Sequence, residues 1–210
     1  MKNLQDIIQE KLQINSKTKV SSYKYHPKDR DELRELLDKL LDKGERGEDA
    51  DLKDIDTSKI TDMSYLFTYL DPHNIDISQW NVSNVNKMEG TFESCHNFNS
   101  DLSNWDVSKV TNMKDMFFEC ENFNSDLSNW DISKVTNTIS MFSKCKKFNS
   151  DLSNWDVSNV NDMKYMFYRC ENFNSDLSKW NVSKNVNMRK MFWKSEIEKN
   201  PPKWYIIKEY

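Results

Sequence analysis

Apolar residues recur along this chain in a fixed order every 25 residues, and the period of that order changes within each repeat. In Asn104–Ser128 (NWDVSKVTNMKDMFFECENFNSDLS), Trp105 and Val107 stand two apart with a polar residue between them, the spacing of inward positions on a short strand. Further on, Met113, Met116, Phe117 and Cys120 fall at i, i+3, i+4 and i+7, the stripe of a short helix. Asn129–Ser153 and Asn154–Ser178 are near copies, Gln79–Ser103 is a fourth, and Asp54–Ser78 and Lys179–Lys203 are degenerate copies at either end. Trp80, Trp105, Trp130, Trp155 and Trp180 form one ladder, and Val82, Val107, Ile132, Val157 and Val182 form another.

A unit with a strand on one edge and a helix on the other cannot bury its apolar face alone and must stack on its neighbours. The pattern therefore predicts an α/β solenoid, a leucine-rich-repeat-like curved array of about six 25-residue coils over residues 54–203. Strands stack about 4.8 Å apart and packed helices need about 8–10 Å, so the strands should line the concave face.

Residues 1–53 read as an N-terminal helical and strand cap, and 204–210 as a C-terminal cap segment. Tyr23 and Tyr25 alternate as in a strand, and Pro27 precedes Asp29–Lys43, where Leu33, Leu36, Leu37, Leu40 and Leu41 predict an amphipathic helix stopped by Gly44. Leu4, Ile7, Ile8 and Leu12 suggest an earlier short helix. After Pro201 and Pro202, residues Trp204, Tyr205, Ile206 and Ile207 are placed to cover the last coil.

Composition modifies this picture in two respects. Hydrophobic residues reach only 37% and mean hydropathy is −0.88, values that drift toward disorder, yet 7 Trp, 11 Phe, 8 Tyr and 10 Met are enough for a packed interior. With 3 Gly against 24 Asn, the turns are expected to use Asn, the best non-glycine residue for positive φ. No apolar leader follows Met1 and no stretch approaches about 20 apolar residues, so a cytoplasmic protein without a membrane span is expected.

The net charge of −4 conceals an asymmetry: residues 1–53 are balanced, 54–128 carry −9 and 129–210 carry +5. Such a distribution bears on partner orientation more than on fold.

Candidate chemistry is sparse. Cys95, Cys120, Cys145 and Cys170 occur once per coil at one ladder position, a spacing unlike the close pairs of zinc sites, and predict a buried thiol rung. His26, His73 and His96 share neither a ladder nor a catalytic spacing, and no glycine-rich phosphate loop is present. The sequence thus predicts no enzyme, no cofactor and no metal centre. Asp106, Asp131 and Asp156 lie between the inward Trp and Val positions and should point outward. They offer a recognition surface, with calcium as one reading and a hydrogen-bonded polar ladder as the favoured one.

Shared positions build the scaffold, so positions that vary between copies are where a partner would be recognised. Tyr165, Tyr168, Arg169 and Trp193, on neighbouring coils, combine the residue types favoured in interface cores and form the candidate patch.

The phrase DMKYMFYRCENFNSDLSKWNVS (Asp162–Ser183), with its Met-Phe, Cys, Phe-Asn and Leu-Ser-x-Trp elements, resembles the BspA-like 25-residue repeats of mycoplasma-type bacterial surface proteins, a class without an assigned activity. The resemblance covers residues 54–203 and implies a leucine-rich-repeat-like solenoid, often in cell-surface or adhesive proteins.

The leading expectation is a non-enzymatic protein–protein interaction module, an intracellular binder or inhibitor of a partner protein, of the kind a mobile element encodes. One alternative is a bacterial surface adhesin-like repeat protein. A second is nucleic-acid binding or mimicry, through the basic residues of the C-terminal part or the acidic residues of the middle.

Overall fold

The computed structural model describes residues 23–41, 52–72 and 75–205. Among them are one α-helix, α1 (Arg30–Leu41), one 3-10 helix (Glu196–Lys199), and no strand or sheet. This corrects the expected α/β solenoid of helix-and-strand coils with a strand-helix cap. Neighbouring 25-residue units pair instead through isolated parallel bridges, Asp62 with Lys87, Lys87 with Asn112, and onward through Asn137 and Asp162 to Asn187.

The reason lies in how tightly the apolar positions are spaced. In the unit 104–128, Trp105 N–H donates to Leu102 O (3.1 Å), Val110 to Val107 (2.8 Å), Met116 to Met113 (3.3 Å), Cys120 to Phe117 (3.0 Å) and Phe123 to Cys120 (3.1 Å). Each bond closes a turn of i→i−3 type, so the chain changes direction before a strand can extend. Trp105 and Val107 are both buried as their spacing predicts, but they sit between two turns, 102–105 and 107–110, rather than in a strand.

The stripe from Met113 to Cys120 fails to become a helix for a related reason. Asp115 (φ 53°) and Glu119 (φ 62°) are left-handed, a conformation that ends a right-handed helix. The amides of Met113, Asp115, Phe117 and Glu119 then donate across to Asn137 O (3.0 Å), Ile139 O (2.8 Å), Met141 O (2.9 Å) and Ser143 O (2.9 Å) of the next unit. The four-residue apolar spacing belongs to a ladder between units, with a left-handed residue every fourth position. Asn does not supply those positions: the left-handed residues are Tyr, Asp, Ser, Glu, Lys and Arg, with Gly90 the one glycine among them.

The buried side chains form one cluster that runs from Leu33 to Ile197. Phe92, Phe117, Phe142 and Phe167 stack along it with centroids 5.5–5.6 Å apart, and Phe98, Phe123, Phe148 and Phe173 form a parallel column at 5.8–5.9 Å. Each buried indole N–H needs a partner. Trp105, Trp130, Trp155 and Trp180 donate to Ile77, Leu102, Leu127 and Leu152 carbonyls at 2.8–3.1 Å, one unit back. Trp204 continues the series, donating to Leu177 O (2.7 Å) and stacking on Trp180 (5.9 Å).

A stack held by backbone ladders exposes unpaired groups at each end. Along the stack, the carbonyls of residues such as Glu89, Thr91 and Phe118 accept from the unit before. The corresponding carbonyls of the first unit are Ser64, Leu66 and Thr68. Arg30 Nη1 reaches Ser64 O (3.5 Å), and Arg34 Nη1 reaches both Leu66 O (3.1 Å) and Thr68 O (3.1 Å). Helix α1 is started by Asp29, whose Oδ1 accepts from the Asp31 and Glu32 amides (3.0 Å each). It packs Leu33 and Leu37 into the core, with Leu36, Leu40 and Leu41 partly buried. At the far end the Lys194 amide, which has no next unit, donates to Glu198 Oε2 (2.8 Å). Tyr25 makes a single parallel bridge with Ile55 in place of the expected strand. Leu4, Ile7, Ile8, Leu12, Gly44, Ile206 and Ile207 lie outside the described residues.

Candidate interaction surface

The inter-unit ladder brings four variable positions of every unit into columns on one edge. Because the amides of Tyr165 and Arg169 donate to the carbonyls of Arg189 (3.1 Å) and Trp193 (2.8 Å), the two units are locked in register there. Tyr165 (φ 58°) and Arg169 (φ 57°) are left-handed, as are Lys190 (φ 51°) and Lys194 (φ 60°). Leu, Met and Phe fill the inward positions between them, so the intervening side chains are left on the surface.

The four residues selected from sequence meet in space. Tyr165 packs edge-on against Tyr168 (5.5 Å), and Tyr168 stacks on Trp193 (4.9 Å, 19° between planes). The Arg169 guanidinium lies 5.7 Å from the Tyr168 ring centre and 5.8 Å from that of Trp193. Lys194 sits over the Trp193 ring at 4.3 Å, Lys190 at 5.6 Å, and Lys164 over Tyr165 at 5.0 Å. The three aromatic rings are half-buried while Arg169, Lys190 and Lys194 are exposed. Cations held over ring faces gain electrostatic attraction without losing access to a partner.

The electrostatics of this patch differ from the rest of the edge. Upstream, cations are answered by carboxylates on the preceding unit: Lys114 pairs with Glu89 (3.0 Å), Lys146 with Glu121 (2.8 Å), and Lys144 with Glu119. Glu89 also accepts from the Tyr65 hydroxyl (2.6 Å), a bond that holds the Glu89 carboxyl below its ordinary range and lifts the Tyr65 phenol to about 12. Glu93 is pushed the other way, first by burial and then by Asp115. Among the described residues Lys164, Arg169, Arg189, Lys190 and Lys194 form no ion pair. Sequence reasoning missed Lys164 as a member of the patch. The signal for it was the column Glu89, Lys114, Ile139, Lys164, Arg189, which turns from acidic to basic along the chain.

Asp106, Asp131 and Asp156 lie elsewhere and are not brought to this patch. They are exposed, as expected, but each is turned on its own backbone: Oδ1 accepts from the amide of Ser108 (3.1 Å), Ser133 (3.0 Å) or Ser158 (3.0 Å). Bonds from those serines, side chain first, hold the three carboxyls below their ordinary range. The arrangement is a column of Asx turns.

The four cysteines are free and buried, with Cys120 Sγ 3.0 Å and Cys145 Sγ 2.9 Å from the carbonyls of Phe92 and Phe117. Burial pushes the Cys95 thiol up to about 12. His26 Nδ1 lies 3.4 Å from Asp56 Oδ2, His96 is exposed, and His73 lies outside the described residues. No helix among the described residues is long and apolar enough to cross a membrane.

A family model described as "Mycoplasma protein of unknown function, DUF285" matches residues 37–143 and again 120–207. No curated protein and no solved structure matches the chain.

Proposed function

This chain belongs to the DUF285 family of mycoplasma proteins, and from that footing we propose that it is a non-enzymatic protein-binding module whose contact surface is the Tyr165, Tyr168, Arg169 and Trp193 patch. The observation that carries this is the Tyr168–Trp193 stack with Arg169 beside both rings. Aromatic and arginine side chains dominate binding energy where they are fixed before the partner arrives, because less rotamer entropy is then lost on contact. Here the ladder fixes the backbone and the stack fixes the rings. The partner belongs, on this proposal, to the cytoplasm, where four unpaired thiols are chemically at home.

A second reading, a surface adhesin-like protein, is supported by the likeness of the repeat to BspA-like sequences and would use the same patch on an extracellular partner. The uncompensated cations support a third, nucleic-acid binding, but the rings stack on one another and are half-buried, which leaves little ring face for bases.

The test is affinity capture from host lysate followed by titration of the recovered protein against purified chain. Tyr168→Ala with Trp193→Ala should weaken binding by about 30-fold or more, the fold-change of a hot spot worth about 2 kcal/mol. Undiminished binding by that variant overturns the assignment of the patch.

A further inference from the structure

The edge that carries the patch also carries its electrostatic complement. In the units 79–103 and 104–128, the four column positions hold Glu89, Glu93, Asp115 and Glu119 against the single cation Lys114. The same positions in 154–178 and 179–203 hold Lys164, Arg169, Arg189, Lys190 and Lys194 and no carboxylate. Between them, the unit 129–153 holds Ile139, the buried Ser140 and Ser143, and one cation, Lys144, which is paired with Glu119 of the preceding unit. The edge is therefore acidic on one side of a low middle and basic on the other.

We infer that the patch is occupied by a second copy of this chain, laid antiparallel on the first about a two-fold axis through the unit 129–153. An isologous interface requires a surface that is complementary to itself after rotation. Rotation about that unit sets 104–128 opposite 154–178 and 79–103 opposite 179–203. Asp115 and Glu119 then face Lys164 and Arg169, while Glu89 and Glu93 face Arg189, Lys190 and Lys194. Glu93, which lacks a cation partner among the described residues and is pushed toward protonation by burial and by Asp115, gains one. Ser140 and Ser143 at the axis are small enough to let the two edges approach, and Lys144 there keeps its pair with Glu119. A parallel arrangement would set like charges against like, at an energetic cost. The inference rests on the proposed contact role of the patch and names its partner.

The experiment is sedimentation velocity of the full chain at low and high salt, with two charge-reversed forms. One form, Lys164→Glu, Arg169→Glu, Lys190→Glu and Lys194→Glu, is net negative on both sides of the middle; the other, Glu93→Lys and Asp115→Lys, leaves Glu89 and Glu119 in their pairs with Lys114 and Lys144 and is net positive on both sides. The intact chain should sediment as a dimer whose association weakens about tenfold or more between roughly 0.02 and 0.3 M salt, as charges become screened. Each reversed form should be a folded monomer by circular dichroism, and an equimolar mixture of the two should recover the dimer mass.

An intact chain that stays monomeric at low salt overturns the self-pairing while leaving the patch free for another protein, which the capture experiment decides separately. Dimers formed by either reversed form alone overturn the assignment of the edge. A mixture that stays monomeric overturns the antiparallel arrangement.

Discussion

The Arg34 guanidinium of α1 donates to the Leu66 carbonyl at 3.1 Å, the position at which the amide of a preceding unit would donate if the stack continued. A second bond from the same nitrogen to Thr68 O, also 3.1 Å, makes Arg34 a substitute for a missing repeat. Arg34→Ala leaves both acceptors without that donor, at a cost of about 1–3 kcal/mol each where water cannot replace it. Thermal unfolding should therefore fall by several degrees, about 2–4 °C per kcal/mol for a chain of this size. An unchanged melting temperature would show that the helix does not seal the stack.

The buried indoles make a similar prediction in the interior. Trp130 Nε1 donates to Leu102 O at 3.0 Å, and its side chain is almost fully buried. Trp130→Phe keeps an aromatic ring but removes one of the two bonds to that carbonyl, which retains the Trp105 amide, and removes ring volume, so destabilisation of about 1–3 kcal/mol is expected. Chemical denaturation measures it directly, and a loss below 1 kcal/mol would contradict the role given to the indole ladder.

How much of this was legible in the sequence can be judged residue by residue. The 25-residue period, the inward Trp and Val positions, the cysteine rung and the helix that became α1 were all readable, because each depends only on which residues are apolar and how often they recur. The backbone between them was not. Met113, Met116, Phe117 and Cys120 carry a helix-like spacing, but left-handed Asp115 and Glu119 produce the same spacing in a ladder of turns. Asp tolerates positive φ but Glu, Tyr, Lys and Arg do not advertise it, so an expectation built on Asn missed the column as a whole. The patch was legible because Tyr165, Tyr168, Arg169 and Trp193 break the repeat. The Arg34 bonds were not, since they depend on the position of α1 against the first unit.

The cysteine rung should be silent to reagents in the folded protein. Thiolate is the reactive form, and burial raises the pKa of all four thiols. At pH 8 a thiol reagent should modify almost none of Cys95, Cys120, Cys145 and Cys170 in the native chain and all four in denaturant. Rapid modification of the native protein would show that the core opens at that column.

Acid should loosen the turns that Asp76, Asp106 and Asp126 cap. Asp76 is lowered from 3.8 to about 2, first by the bond from Lys53 and then by Ser78, whose hydroxyl and amide donate to it at 2.7 and 3.1 Å. Because the folded pKa lies below the unfolded one, the ionised group contributes stability that is fully present above about pH 4 and is lost as pH falls toward 2. Asp106, Asp126, Asp131 and Asp156 are shifted in the same direction by their own serines. Melting temperature should therefore decline across that window, and less steeply in Asp76→Asn. Identical slopes for the two proteins would remove Asp76 from the account.

The central claim is that the edge bearing Tyr168 and Trp193 is a contact surface, and hydroxyl-radical footprinting tests it most directly. The chain is oxidised once in intact host cells and once purified at high dilution, with Tyr23, 39% exposed and in the segment before α1 rather than on the repeat edge, as the internal reference. Several-fold protection of Tyr168 and Trp193 in the cell, with Tyr23 unchanged, is the predicted result. Equal oxidation of all three residues in both settings would contradict it.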